Sequence, residues 1–457
     1  MQEVLSQERI RKIIRENTMF DSPYTADYIL KQKDWLIFVG GDGIYLRDTE
    51  GREYIDGMSS AMCCSLGHGN RRVIEAIKEQ LDKLQFARRA QSDVHLLLCE
   101  KIAKVAPPGL NHVYISVTGS DIVEASLTFA RQYFRSQGKP NHIIISQWFS
   151  YHGVSRGAAG ATGLYSYKLN RGRDISDIDS GFYYVFPPYC YRCSYGLEYP
   201  QCGIQCAKTI DDVIRYLGPQ NVAAFIGELA YGMGGGITPP PEYWPIVKEI
   251  CSKHKILLID DEVVTGWGRL GKLWAAEFFN ITPDIMVTAK GLTGAYLPLA
   301  AMVMHDDVCE PFSGEDAQIP ALAHTHSAYP LGCAAALAAI DVTMEERLWE
   351  NAAKVGLHLK GRLEDIEHKS KVVGAIHGVG LQLGLEIVED KQSKAPSTNL
   401  ADAIRRKCNE KGLIIRRIGG WGNLLEIYPP LIITKEQSDK LCDIVSESVQ
   451  EVEAERK

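Results

Sequence analysis

Two neighbouring segments, KILLIDDEVVTGWGRLGKLW (255–274) and PDIMVTAKGLTGAYLPLAAM (283–302), hold the pattern that decides the fold. Each begins with a short apolar run that does not alternate, which indicates a strand buried on both faces and hence a largely parallel sheet. The first run ends in acidic residues that include Asp261, and the second ends at Lys290, 29 residues after Asp261. Because open α/β sheets bind ligands at the carboxyl ends of their strands, we expect Asp261 and Lys290 to share a site.

The rest of the chain alternates short strands with amphipathic helices. Further apolar runs of the same kind are HIIISQ (142–147), VAAFIGE (222–228) and LAAMVM (299–304). Apolar residues recur at helical spacing in the stretches 71–86, 121–138 and 239–254. This alternation predicts an α/β layer architecture.

The length of 457 residues favours two or three domains. Residues 1–70, with glycine turns between β-prone runs, are predicted to form an N-terminal segment that joins the smaller domain. Residues 71–345 are predicted to form the large domain, and residues 346–457 a C-terminal α+β small domain.

Composition excludes several classes of protein. Apolar residues make up 45% of the chain and charged residues 23%, as in soluble globular enzymes. The formal net charge of −7 argues against a nucleic-acid partner, and no stretch is apolar enough to span a membrane. The first residues lack the apolar core of an export signal, so the twelve cysteines are predicted to be reduced thiols in a cytoplasmic protein.

The chemistry at the strand ends depends on three groups. A desolvated lysine is a usable nucleophile, although a snorkelling lysine beside surface carboxylates would give the same pattern. In VTGSDIVEAS (117–126), Gly119 and Ser120 precede a helix with an acidic first turn, which indicates either an anion cradle or an ordinary N-cap. A lysine, an aspartate and an anion cradle together match the aldehyde, ring nitrogen and phosphate of pyridoxal 5′-phosphate.

Several further strings identify a family. Besides the segments quoted above, they are DGMSSAMCCSLGHGN (56–70), SYHG (150–153), ELAYGMGGGITPP (228–240), HTHSAYPLGCAAALA (324–338) and YPPLIIT (428–434). With them the chain resembles the class-III, or omega-amino acid, aminotransferases of the fold-type-I pyridoxal-phosphate superfamily. The resemblance implies a large domain whose mostly parallel, seven-stranded sheet is sandwiched by helices, plus a small α+β domain. It also implies a homodimer, or a tetramer, with active sites shared between subunits.

The resemblance implies roles for the residues of the cofactor site. Lys290 is implied to form a Schiff base with pyridoxal 5′-phosphate and then to carry a proton, and Asp261 to hold the charge on the ring nitrogen. Gly119 and Ser120 are implied to bind the phosphate. The other positions implied to contact the cofactor are Tyr151 and Val263 on the two ring faces, His152, Glu228 near the ring hydroxyl, and Thr325, which would reach the neighbouring subunit's phosphate.

The same resemblance assigns the substrate site. Arg416 matches the arginine that binds the carboxylate of the 2-oxo acid, with Arg417 pointing the other way if both lie on a strand. Met62 stands where many relatives have a tryptophan, and Tyr24 is the third substrate position. Relatives that use 2-oxoglutarate often have a glutamate, which neutralises the arginine, in place of Met233. Without it, Arg416 is expected to swing out when an amine lacks a carboxylate.

The resemblance therefore predicts a ping-pong aminotransferase. An omega-amino acid or amine, similar to taurine or β-alanine, would give its nitrogen to pyruvate, which leaves as alanine. Three alternatives stay open: 2-oxoglutarate as the acceptor, an aminomutase or decarboxylase on the same scaffold, and a dinucleotide-binding oxidoreductase. The last rests on GWGRLG (266–271), which fits the GxGxxG pattern but needs a helix to open on its glycines.

One motif lies outside this scheme. Cys190, Cys193, Cys202 and Cys206 form a C-x2-C-x8-C-x3-C cluster, a candidate set of soft ligands for zinc or an iron–sulfur centre. No metal is predicted for the catalytic site. For these four cysteines, a bound metal, disulfides and free thiols all stay open.

Overall fold

The computed structural model describes residues 6–18, 36–87, 91–164, 181–315 and 324–456. Within these ranges the chain forms three β-sheets covered by α-helices. The strands are β1 (Phe38–Asp42), β2 (Tyr45–Asp48), β3 (Glu53–Asp56), β4 (Leu110–Ser116), β5 (Ile143–Gln147), β6 (Phe182–Val185), β7 (Val222–Gly227), β8 (Leu257–Asp261), β9 (Ile285–Thr288), β10 (Ala300–His305), β11 (Val373–Val379), β12 (Gln382–Ile387), β13 (Leu413–Ile414), β14 (Arg416–Ile418) and β15 (Leu424–Ile427). The helices are α1 (Gln7–Asn17), α2 (Arg71–Lys83), α3 (Asp93–Val105), α4 (Gly119–Ser136), α5 (Arg156–Ala161), α6 (Gln205–Leu217), α7 (Tyr243–His254), α8 (Ala275–Phe278), α9 (Asp306–Cys309), α10 (Pro330–Glu345), α11 (Leu348–Lys369), α12 (Thr398–Glu410) and α13 (Lys435–Glu455).

A seven-stranded sheet forms the middle of the chain, in the order β4-β10-β9-β8-β7-β5-β6. The five strands from β9 to β6 pair in parallel, whereas β10 runs antiparallel to both β9 and β4. Every residue of β5, β7, β8 and β9 is buried, which explains why these strands appear in the sequence as unbroken apolar runs. The predicted α/β fold with a largely parallel sheet is confirmed, with β10 as its antiparallel exception.

Helices cover both faces of this sheet. On one face α4 packs through Ile122, Leu127 and Phe134 against buried residues of the parallel strands. On the other face α3, α6, α7 and α10 enclose a second apolar cluster around Trp244. The helices predicted from periodicity within 71–86, 121–138 and 239–254 are α2, α4 and α7. No helix in the described part of the chain is both long and apolar enough to cross a bilayer.

Two four-stranded sheets share the third large core. Their orders are β1-β2-β3-β13 and β11-β12-β15-β14, and α11, α12 and α13 pack against them. Because β13 pairs in parallel with β3, the C-terminal part of the chain is hydrogen-bonded to the N-terminal hairpins. The domain boundaries inferred from the sequence stay a prediction.

The parallel pairing of β7, β8 and β9 aligns three functional positions. In register, Gly227 lies beside Asp260, and Asp261 lies beside Val287. The carboxyl ends of the three strands are therefore level, and the residues that follow β7 and β9 emerge next to Asp261.

Close packing of α11 gives a stability prediction. An added Cβ at Gly356 would lie 2.2 Å from the Gly380 carbonyl oxygen, whereas at Gly361 in the same helix it would meet nothing within 4 Å. We expect Gly356→Ala to lower the free energy of unfolding by about 1–3 kcal/mol, because two backbones would have to separate. Gly361→Ala, the matched control, should raise it by about 0.5–1 kcal/mol, because alanine favours a helix. Urea unfolding measures both changes, and equal changes in the two variants would contradict this packing.

Candidate active site

A cavity of about 410 Å³ opens at the carboxyl ends of β7, β8 and β9 and at the amino end of α4. Its volume is within the range of small-molecule sites. Eight of the residues predicted to contact the cofactor line it: Gly119, Ser120, Tyr151, His152, Glu228, Asp261, Val263 and Lys290. The fold therefore brings together side chains from five separate segments of the sequence.

Lys290 begins a 3-10 turn (Lys290–Leu292) just after β9 ends. Its backbone is left-handed, with φ 39°. Such a conformation costs a non-glycine residue about 1–3 kcal/mol and is found preferentially at functional sites. The half-buried side chain lines the cavity, so the turn fixes the start of the lysine stem beside it.

Asp261 ends β8 and is held by two hydrogen bonds. Its Oδ1 accepts the backbone N–H of Val263 at 3.0 Å, and its Oδ2 lies 2.7 Å from Nδ1 of His152. The other ring nitrogen of His152, Nε2, is buried and has no partner among the described residues. His152 therefore fixes the orientation of the Asp261 carboxylate.

The two acids beside Asp261 face away from the cavity, because side chains alternate along a strand. Glu262 accepts the backbone N–H of Ala276 at 2.9 Å and a hydrogen bond from the Thr265 hydroxyl. Burial raises the pKa of Asp260 well above its usual value and that of Glu262 to about 7. Asp261 is therefore the acidic side chain that this strand presents to the cavity.

The amino end of α4 forms an anion cradle. Thr118 caps the helix by accepting the backbone N–H of Asp121 at 3.2 Å. The first-turn amides of Gly119 and Ser120 have no carbonyl partner within the helix, and the helix dipole makes this end positive. The Ser120 hydroxyl accepts the Val154 N–H at 3.0 Å, so it is fixed in place with its own proton left to donate.

Gly153 permits the close approach of two segments at this cradle. Its φ is +128°, and an added Cβ would lie 2.6 Å from Oγ of Ser120. Only glycine fits there without displacing Ser120. In the SYHG motif, therefore, His152 orients Asp261 and Gly153 leaves room for the anion cradle.

Glu228 anchors the segment that carries Tyr151. It directly follows β7 and is 2% exposed. Its Oε1 accepts the Tyr151 N–H and its Oε2 the Gly232 N–H, both at 2.8 Å. Burial raises the pKa of Glu228 to about 7, although both hydrogen bonds and the nearby His152 lower it. These bonds hold the backbone of Tyr151 at the cavity wall.

Four predicted positions are not among the described residues that line this cavity: Met62, Thr325, Tyr24 and Arg416. Met62 is buried with Met233 and Tyr428 in an apolar cluster beside the cavity and is not among the residues that line it. Thr325 is exposed and does not line the cavity of its own chain. Tyr24 lies outside the described residues.

Arg416 on β14 pairs with a carboxylate on the neighbouring strand. Glu426 lies opposite it on β15, is fully buried, and accepts from Nε at 2.9 Å and from Nη2 at 2.7 Å through Oε2. Nη2 also lies 3.4 Å from the sulfur of Met233. Arg417 instead donates to the carbonyl of Gly422 at 3.3 Å. The premise that no carboxylate neutralises Arg416 is wrong, because Glu426 supplies one. The outward swing of Arg416 stays a prediction.

Sequence reasoning missed two residues of this region. Glu426 stands out in the sequence only because it is a single charge within the apolar strand LLEIY. Its partner is ten residues away across an irregular turn, so the pairing could not be found without the strand register. Cys63 lines the cavity, and nothing in the string MCCS distinguishes it from its neighbours.

The GWGRLG motif does not form a dinucleotide site. It follows β8 in a series of turns, and the next helix is the short α8, which begins only at Ala275. Trp267 is buried and donates to the Thr288 hydroxyl at 2.9 Å, and buried Arg269 donates to the Pro429 carbonyl at 2.6 Å. The glycines therefore belong to a packed turn, and the oxidoreductase alternative is wrong.

The cavity fits pyridoxal 5′-phosphate. The helix end with Ser120, where a Cβ on Gly153 would intrude, suits a phosphate group. The single carboxylate of Asp261 suits a protonated ring nitrogen, and the amine of Lys290 suits an aldehyde. Apolar Val263 and aromatic Tyr151 line the space between these polar groups, as a flat ring requires.

Comparisons with known proteins agree with this chemistry. The sequence profile described as aminotransferase class-III matches residues 30–449. The chain is 31% identical to the putrescine–pyruvate aminotransferase of Pseudomonas aeruginosa, over 94% of each chain. It is 32% identical to the diaminobutyrate–2-oxoglutarate transaminase of Halomonas elongata, over 96% of this chain and 95% of that one. A solved amine transaminase from an uncultivated Pseudomonas species, in its pyridoxal-phosphate-bound form, superposes with a TM-score of 0.90 at 31% identity, covering 96% of this chain and 99% of that chain.

The contact between His152 and Asp261 yields a binding prediction. We expect His152→Phe to weaken binding of pyridoxal 5′-phosphate about tenfold to a hundredfold, because the carboxylate loses a charge-assisted hydrogen bond. His152→Asn should retain most of the affinity, since its amide nitrogen can occupy the position of Nδ1. Absorbance titration of the apoprotein measures both constants. A smaller loss in His152→Phe than in His152→Asn would contradict this assignment and show that the ring acts by packing.

Proposed function

The chain belongs to the class-III aminotransferase family, whose enzymes use pyridoxal 5′-phosphate, and from this premise we propose the substrates and the role of each residue. The donor is an omega-amino acid or amine, similar to β-alanine or taurine, and the acceptor is pyruvate, which leaves as alanine. The observation that carries this proposal is the level alignment of Lys290, Asp261 and Glu228 at the ends of three parallel strands, beside the amino end of α4.

The cofactor's ends are held by different groups. When bound, pyridoxal 5′-phosphate supplies an aldehyde for amines and a ring that withdraws electrons from the carbon next to the nitrogen. Asp261, oriented by His152, holds positive charge on the ring nitrogen. Gly119 and Ser120 bind the phosphate with backbone amides and a hydroxyl. Tyr151 and Val263 flank the ring, and Glu228 fixes the backbone of Tyr151.

Lys290 is the base and acid of the reaction in this proposal. Its backbone is constrained by the 3-10 turn, while its four-carbon stem lets the amine reach more than one position over the cofactor. In this proposal Nζ of Lys290 would take a proton from the donor carbon next to the nitrogen and would give one back when the acceptor receives that nitrogen.

Charge in the substrate site favours small substrates with one anionic group. Arg416 is already compensated by Glu426, so an amine without a carboxylate leaves no isolated cation behind. One carboxylate oxygen does not saturate the five N–H donors of a guanidinium, so Arg416 can also bind the anionic end of β-alanine, taurine or pyruvate.

The scarcity of cations supports pyruvate as the acceptor. Arg416 does not line the cavity itself, and among the described residues that do, Lys290 is the only lysine or arginine. The second carboxylate of 2-oxoglutarate would need a further cation besides Arg416, whereas pyruvate would need only Arg416. The similar proteins carry both acceptors in their names, since one is a putrescine–pyruvate and the other a diaminobutyrate–2-oxoglutarate enzyme. We extend the proposal to a homodimer in which Thr325 completes the partner's phosphate site.

An amine panel tests the reaction and its substrates. Purified protein should form alanine from pyruvate with β-alanine, taurine or putrescine, and pyruvate should exceed 2-oxoglutarate at least about tenfold in kcat/KM. Lys290→Ala should lower this rate by about 10²–10⁴-fold, because no amine remains to move the proton. Lys272→Ala, at an exposed lysine, should leave the rate unchanged. Failure of every donor to yield alanine would refute the proposal.

The role of Glu426 is tested by two variants with opposite effects. Glu426→Gln leaves Arg416 uncompensated, so the ratio of kcat/KM for β-alanine over propylamine should rise about tenfold. Arg416→Leu removes the anion partner, so the same ratio should fall about tenfold or more. Steady-state kinetics with β-alanine and propylamine measures the ratio. A ratio that moves in the same direction in both variants would contradict this assignment.

A further inference from the structure

The four cysteines singled out in the sequence lie in one loop, residues 187–206, which we call the cysteine loop. It connects β6 to the first turn of α6 and lies apart from the active-site cavity. All four side chains line a single small cavity of about 20 Å³, and none of them forms a disulfide. That volume has room for about one ion or one water molecule.

Two local turns bring the sulfur atoms to this cavity. Cys190 begins a 3-10 helix (Cys190–Arg192) and Cys193 follows it, and residues three apart share one side of such a helix. Cys206 lies in the first turn of α6, four residues after Cys202. The C-x2-C pair and the C-x3-C pair therefore face the same space from two segments.

These thiols differ from the core cysteines of the chain. Cys251 and Cys333 are fully buried and pack as small apolar residues. Cys190 is exposed, and the other three residues of the loop are partly exposed. Grouped thiols that solvent can reach are candidate metal ligands, because a bound cation would hold them as thiolates.

We propose that the cysteine loop binds one Zn²⁺ through the thiolates of Cys190, Cys193, Cys202 and Cys206. The other side chains around the cavity are proline, tyrosine, leucine, isoleucine and glutamine, so the thiolates are its only strong metal ligands. Four soft sulfur ligands with nothing left open are typical of structural zinc sites.

Zinc binding would have to draw the sulfur atoms together. No three of the four sulfur atoms in this described loop lie within 4.8 Å of one another. Tetrahedral Zn–S bonds of about 2.3 Å place sulfur atoms roughly 3.8 Å apart. In this proposal, rotamer changes of the cysteine side chains, each of which moves a sulfur by roughly 3 Å, contribute to that closure.

The metal would stabilise a contact between two parts of the fold. From the cysteine loop, Tyr189 and Arg192 both donate to Glu386, a buried carboxylate on β12. Glu386 also lies 2.7 Å from Nε2 of His377 on β11. Zinc next to these residues would keep the loop attached to the C-terminal sheet, which also contains β14 and Arg416.

Metal analysis of the full-length protein tests this proposal. Protein purified without chelator from zinc-supplemented cells should contain about one zinc per chain. The double variant Cys190→Ser/Cys202→Ser should retain less than a tenth of that zinc. Cys99→Ser, at a partly buried cysteine of α3, should retain all of it. Because the double variant can fail to fold, the wild-type protein is also titrated with a mercurial, which should release one zinc per four thiols modified.

Three outcomes would overturn the zinc site. The first is a zinc content below about a tenth of an equivalent together with four reactive loop thiols. The second is a disulfide between loop cysteines in a non-reducing peptide map. The third is stoichiometric iron in place of zinc. None of these results depends on transaminase activity, so failure of this proposal is distinguishable from failure of the proposed function.

Discussion

The parallel pairing of β8 with β9 is the constraint on which the site depends. Register between these two buried strands determines how far the carboxylate of Asp261 lies from the turn that begins at Lys290. Both strands are buried on both faces, so a one-residue slip would turn Asp261 into the core and expose an apolar side chain to the cavity. Packing of the whole sheet therefore maintains the separation between the two groups that would hold opposite ends of one flat molecule.

Buried charge is the second organising feature, and four buried carboxylates have specific partners. Asp261 is held by His152, and Glu228 accepts two backbone amides. Glu426 compensates Arg416, and Glu386 receives donors from the cysteine loop. An unpaired buried charge costs several kcal/mol, so these pairings restrict each segment to one arrangement. Under the proposed function, the pairing of Arg416 with Glu426 would let the site accept either a bare amine or an anionic acid without an isolated cation.

Much of the fold could be predicted because the parallel strands are continuous apolar runs and the helices have clear periodicity. The strands β4 and β6 were missed, since both lie at sheet edges with mixed burial and give no unbroken apolar run. Eight of the predicted cofactor residues line one cavity. The pairing of Arg416 with Glu426 could not be predicted, because it depends on the strand register across an irregular turn and local sequence does not determine that register. GWGRLG is a false positive. It fits the GxGxxG pattern, but no helix begins on its glycines in the described structure.

The most direct test of the central claim is to locate the amine that holds the cofactor. The purified enzyme with pyridoxal 5′-phosphate bound is reduced with borohydride and digested, and the peptide that carries the pyridoxyl group is sequenced by mass spectrometry. The account predicts a single modified residue, Lys290, on the peptide that contains the end of β9. Modification of any other lysine, or no modified peptide from a yellow protein, would contradict it.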